Sequence, residues 1–143
     1  MTLSLVTAST IVDAALARAR ALKLNPLGVA VLDARGVLVA FKGEDGGGLL
    51  RADIARGKAA GCLGLNRGGR QLTALALERP HFSAALAAVS GGEFMPVPGG
   101  VLVRDGAGRI VGAVGASGDS ADNDEICAVA GIEAAGLVAD TGA

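Results

Sequence analysis

One histidine, His81, sets the first limit on chemistry, because a hydrolytic triad needs an imidazole base and only His81 could supply it. It follows Pro80 at the start of a helical run, where a polar residue of the first turn is the plainer reading. No GxSxG elbow, P-loop or HExxH pair is present. Cys62 and Cys127 form no CxxC pair and read as small core residues. The richest polar cluster surrounds residues 44–58. Glu44-Asp45 precedes a helical stretch that carries Arg51, Asp53, Arg56 and Lys58. Lys58 falls on the apolar side of that stretch, where an ammonium requires a partner or a ligand.

Two readings of this cluster stand side by side. In one, Arg51 and Lys58 hold the carboxylate of a small anionic ligand, with Pro98 and Gly99 of the 90–100 loop completing the pocket. Glu44, Asp45 or Glu93 would then move a proton, giving isomerase, tautomerase or hydrolase-like acid–base chemistry on an organic acid of a catabolic pathway. In the other, Lys58 is closed by a salt bridge to Asp45 or Glu93. A second acidic group, Asp119, Asp122, Asp124 and Glu125, has the oxygen ligands that Ca²⁺ favours, but its spacing matches no EF-hand. Carboxylates there serve a helix N-terminus, and no metal site is expected.

These residues must be placed by the elements around them. Residues 10–22 have helical spacing, with Thr10 and Asp13 as a capping pair. Two β-branched runs follow, separated by Asp33-Ala34-Arg35-Gly36, which predicts a hairpin. Helices are expected over 49–65, 70–78 and 81–89. A second hairpin, 99–105 and 109–117, turns at Gly106-Ala107-Gly108. A final helix from about Asp122 is expected to bury Ile126, Val129, Ala130 and Leu137. The order α-β-β-α-α-α-β-β-α, with hairpins in place of βαβ crossovers, predicts one α+β domain over 1–143 with a central antiparallel sheet covered by helices.

Composition narrows the function classes. The chain has 143 residues, 2 % aromatics and a net charge of −1. Base-stacking platforms and a basic nucleic-acid footprint are therefore not expected. No apolar stretch is long enough to span a bilayer, and MTLSLVTAST lacks the basic flank of a secretory signal, so a cytoplasmic protein is expected. Residues 1–110 hold all 13 basic groups and 8 acidic ones, whereas 111–143 hold six acids and no base. With 23 glycines and three Phe, the core has few large side chains, which favours a homo-oligomer. The row Gly57, Gly61, Gly64 offers a smooth helix surface for a second backbone, and the 50–65 helix is the expected interface.

Four blocks carry a family resemblance: DARGVLVAF, EDGGGLLRADIARGKA, FMPVPGGVLVRD and IVGAVGASGDSADNDEICAVAGI. Together they resemble the GlcG/HbpS family of haem-binding or haem-degrading proteins, and the chain is similar to the C-terminal domain of PduO-type corrinoid adenosyltransferases. The resemblance covers roughly residues 8–138. It implies a profilin-like fold, assembly as a tetramer or octamer, and binding of haem or a related tetrapyrrole. Relatives commonly carry Gly-Gly-His in the first hairpin, where this chain has Arg35-Gly36-Val37. An axial contact to haem would have to come from His81, Met95 or a cysteine. Ligand binding and acid–base catalysis are thus both carried forward.

Overall fold

A computed structural model describes residues 2–143. Helix α1 (Leu5–Ala21) leads into the hairpin β1 (Gly28–Asp33) and β2 (Leu38–Gly43). Three helices follow: α2 (Arg51–Leu65), α3 (Gly69–Glu78) and α4 (Pro80–Val89). The second hairpin is β3 (Gly100–Arg104) and β4 (Ile110–Ser117), after which come α5 (Ala121–Ala134) and the short β5 (Val138–Asp140). The expected order is present, and β5 is an addition to it. The sheet order is β2-β1-β4-β3-β5, antiparallel throughout. The hairpins join through β1 and β4, paired without a slip from Gly28↔Ser117 to Asp33↔Gly112.

The hairpin sequences look alike because both turns use one device. Asp33 Oδ1 accepts the backbone N–H groups of Arg35 and Val37 at 2.9 and 3.2 Å, while Oδ2 takes the Arg35 guanidinium. Asp105 Oδ1 accepts those of Ala107 and Arg109, both at 2.9 Å, and Oδ2 takes Arg109 Nε. In each turn a glycine adopts positive φ, Gly36 at 82° and Gly108 at 80°. Short polar side chains that accept from their own turn are the usual solution where the chain reverses.

The two faces of the sheet are packed differently. One carries Val29, Val31, Val101, Val103 and Val114 against α1 and α5. The other carries Leu32, Leu102 and Ala113 against α2, with Leu72 and Phe94 closing its side. On this second face a Cβ added at Gly115 would fall on the Ala55 carbonyl, so α2 rests directly on the strand backbone.

Three expectations are corrected. Helix α1 starts six residues earlier than the Thr10 cap implies: Ser4 is the N-cap, its hydroxyl accepting from the Thr7 N–H at 3.2 Å. Thr10 instead donates to the Val6 carbonyl, and Asp13 pairs with Lys42 on β2. Helix α5 is capped by Ser120 and turns Asp124, Cys127, Ala128, Gly131 and Ile132 inward. Ile126 is 43 % exposed, Val129 and Ala130 are half-buried, and Leu137 lies beyond the helix. The rotation follows from a buried charge, Asp124, that polarity patterning assigns to solvent. The glycine row also has a different partner from the one expected. The backbone that approaches it belongs to the same chain: Met95 N–H donates to the Gly57 carbonyl at 3.3 Å, and Phe94 Cδ1 lies 3.1 Å from where a Gly61 Cβ would be. Gly64 remains open.

Candidate functional site

The candidate residues gather at the end of the sheet where β1 begins and β4 ends. Helix α2 brings Arg51 and Lys58 there, two turns apart along its length. Lys58 is 3 % exposed and its ammonium donates to Asp124 Oδ2 at 3.0 Å and the Ala116 carbonyl at 2.9 Å. Asp124 is itself fixed, its Oδ1 accepting the Asp119 N–H at 2.9 Å. The expected partners Asp45 and Glu93 are therefore replaced by Asp124, because the start of α5 packs over the ammonium and neither of those side chains does. Burial pulls the Lys58 pKa below its ordinary value; Asp124 acts in the opposite sense, and the charge of Arg51 adds to the lowering. Gly99, with φ of 109°, presses on this pair: a Cβ there would sit 2.8 Å from Lys58 Nζ. Gly99 is buried and Pro98 half-buried beside it. Lys58 is a sealed structural cation.

Arg51 behaves differently. Its Nη1 donates to Ser117 Oγ at 2.8 Å, and it makes no ion pair among the described residues. It is half-buried in a depression of about 180 Å³ walled by Leu27, Phe41, Glu44, Gly47 and Gly48. An adjacent cleft of about 450 Å³ is lined by Arg20, Pro26, Gly43, Glu44 and Asp45. The two share Gly43 and Glu44 as a common wall. Glu44 Oε1 accepts the Leu27 N–H at 2.9 Å, and its Oε2 pairs with Arg20 Nε at 2.8 Å. Both oxygens of this carboxylate are thus engaged, whereas Asp45 stands exposed at the cleft margin. The structure brings together Arg51, Glu44 and Asp45, with Lys58 and Gly99 buried behind them.

The remaining candidates lie apart. Glu93 pairs with Arg56 at 3.0 Å and lines a separate cleft of about 380 Å³ with Arg35 and Gly64. His81 is exposed on the first turn of α4 and lines neither depression beside Arg51. Met95 is half-buried against Gly57. Cys62 and Cys127 are buried, and burial pushes their thiols up to about 12 and about 11 respectively, so neither offers a thiolate near neutral pH. The depression at Arg51 thus offers a guanidinium for a carboxylate and, among the described residues, no enclosed ligand for an iron.

Ser117, Arg20 and Asp124 were missed as parts of this region. Asp124 lies 66 residues from Lys58, and no local spacing signals that pairing.

The fold defines a class, a profilin-like α+β domain with a five-stranded antiparallel sheet. A family model described as "Haem degrading protein HbpS-like" matches residues 3–133. The chain belongs to that family. Among solved structures, it is similar to HbpS, with 25 % identity over 93 % of this chain and 89 % of that one, at a TM-score of 0.80. It shares its fold with the PduOC:heme complex, with 23 % identity over 96 % of this chain and 98 % of that one, at a TM-score of 0.85. The Klebsiella pneumoniae protein ORFY is a further fold neighbour, with 21 % identity over 95 % of this chain and 92 % of that one, also at 0.85. No curated protein matches the chain. No helix among the described residues is long and apolar enough to cross a membrane.

Proposed function

We propose that this protein binds a carboxylate-bearing ligand, haem or a related tetrapyrrole, with a carboxylate seated at Arg51 and the body of the ligand outside that depression. The observation that carries the reading is the contrast between two neighbouring cations. Lys58 has a buried carboxylate of its own, whereas Arg51 is half-buried and has only the neutral hydroxyl of Ser117. A guanidinium so placed is suited to bidentate recognition of a ligand carboxylate. Membership of the haem-degrading family directs the choice among carboxylates to a tetrapyrrole with propionates. The carboxylates anchor such a ligand, and the iron contributes little. Self-association into a homo-oligomer, tetramer or octamer, in the cytoplasm belongs to the same reading.

The acid–base alternative has less support. Two of its proton carriers, Glu44 and Glu93, are held in ion pairs, and its Lys58 anchor is sealed from solvent. Titration of the apoprotein with hemin at the Soret band tests the proposal. A saturable shift is expected, with iron-free protoporphyrin competing at similar affinity. A spectrum equal to that of free hemin would overturn it. Thermal-shift screening of small dicarboxylates separates the two readings, since stabilisation by an acid but not by a tetrapyrrole favours the enzyme.

A further inference from the structure

Between Glu44 and Arg51 the chain runs through Asp45, three glycines and two leucines. Cβ atoms added at Gly47 and Gly48 would lie 3.6 Å from Arg51 Cγ and 3.8 Å from its Nε, so the glycines leave that flank of the side chain bare. Leu49, which lines the Arg51 depression, is 94 % exposed, the most of any large apolar residue among those described, and Leu50 is 58 % exposed. Neither packs into a core cluster among the described residues. Leu50 also holds the position before α2, where a short polar side chain that caps the helix is the usual choice. Phe41, one of three aromatic residues in the chain, lines the same depression, its half-buried ring 3.2 and 3.4 Å from where Cβ atoms of Gly28 and Gly43 would be. Local rules of solubility and capping are broken at 49–50 with no gain in packing, a pattern expected where a surface serves binding.

We propose that Leu49, Leu50 and Phe41 form an apolar platform for the ring body of the ligand whose carboxylate Arg51 seats. The inference rests on the proposed function and assigns the part of the ligand that lies outside the depression. Continuity selects this occupant. Leu49, Phe41 and Arg51 line one depression, so a molecule that brings a carboxylate to the guanidinium meets the apolar side chains at once. At about 180 Å³ the depression is smaller than the roughly 300–1,000 Å³ that encloses a drug-sized ligand, so it takes a carboxylate arm and leaves the body at its mouth. A planar apolar ring there removes leucine surface from water and meets an aromatic side chain. A small dicarboxylate would leave both leucines exposed. The site therefore selects amphiphilic carboxylates, in which the charge sits on one edge of an apolar ring.

Two iron-free porphyrins, titrated into the full chain and read by their own fluorescence, test this. Protoporphyrin carries its carboxylates on one edge, and uroporphyrin carries them all round. The paired substitution Leu49→Ser, Leu50→Ser removes the leucines without touching a core cluster, so its melting temperature should match wild type. It is expected to weaken protoporphyrin about tenfold or more and uroporphyrin less than about twofold. Leu49→Ser alone, at the more exposed position, should act in the same direction with a smaller loss. Leu77→Ser, at an 81 % exposed leucine that lines neither depression beside Arg51, should change neither affinity. Equal weakening of the two porphyrins by the paired substitution, or no weakening of either, with Arg51→Ala still weakening both, would overturn the platform alone. A wild type that binds neither porphyrin, or affinities that Arg51→Ala leaves intact, would overturn the proposed function and the platform with it.

Discussion

The two faces of the sheet solve the packing problem in opposite ways. Against α1 and α5 the sheet presents valines, and the helices stand off on branched side chains. Against α2 it presents Gly115, Ala113 and Gly100, and the helix lies on the strand backbone, with Lys58 and Cys62 pressed against Gly100. The first arrangement fills volume and is tolerant in chemistry. The second brings a helix near enough for Lys58 to reach the Ala116 carbonyl and Arg51 the Ser117 hydroxyl at the sheet end. The close-packed face therefore holds both a sealed cation and a half-buried one without an ion pair, whereas Arg18 on the helix over the valine face is exposed.

The strongest way to break the comparison is to strand the sealed cation. Asp124→Ala leaves Lys58 buried without its carboxylate and is expected to cost about 3–5 kcal/mol, measured by urea denaturation. The double variant Lys58→Met, Asp124→Leu should recover most of that loss, since an apolar pair of similar volume removes the unpaired charge. Recovery would show that the pair serves packing and register.

Next in size is the contact of helix on backbone. Gly115→Val has no room under Ala55 and should destabilise by about 3 kcal/mol, with α2 displaced. Val31→Ala on the opposite face removes two methyl groups and should cost about 2 kcal/mol, by cavity formation without helix displacement. Equal effects on tryptic cleavage within α2 would contradict the distinction.

Acid acts at both ends of the sheet. At the site end Asp119 is held below the usual carboxyl range by the Asn123 amide and the backbone N–H groups of Asn25 and Ser120. At the turn end two aspartates are held likewise. At Asp33 burial works against ionisation, but Arg35 and the backbone N–H groups of Arg35 and Val37 outweigh it and hold the carboxyl below its usual range. At Asp105 the backbone N–H of Arg109 leads the lowering, against burial, with Ala107 and the Arg109 side chain adding to it. A carboxyl with a depressed folded pKa contributes stability that is present above its unfolded value, near 3.8, and lost as pH falls through the folded value. Acid unfolding followed by circular dichroism should therefore begin below about pH 4. Arg35→Ala and Arg109→Ala should each move its midpoint to slightly higher pH.

The legible parts of this fold were those whose cause is local. Both hairpins follow from β-branched runs and an Asp-led turn with a glycine, and the breaks at Gly68 and Pro80 mark the starts of α3 and α4 to within a residue. β5 escaped because three residues paired to β3 have no periodicity of their own. The inward face of α5 was misread because Asp124 looks like a solvent residue until Lys58 is brought to it from another element. The glycines at 57 and 61 announced a close approach correctly, but spacing along one helix cannot say whose backbone arrives. For the site, the 44–58 cluster was legible as a set of types. Which of its cations is sealed depends on α5, and so on the tertiary fold.

The most direct test of the account is the ratio of hemin dissociation constants between wild type and two single variants, read at the Soret band. Arg51→Ala removes the available guanidinium and should weaken binding about tenfold or more, while His81→Ala should leave it within about twofold. Arg51→Ala binding as tightly as wild type, with His81→Ala abolishing the spectral shift, would contradict a carboxylate anchor at Arg51 and place the ligand at α4.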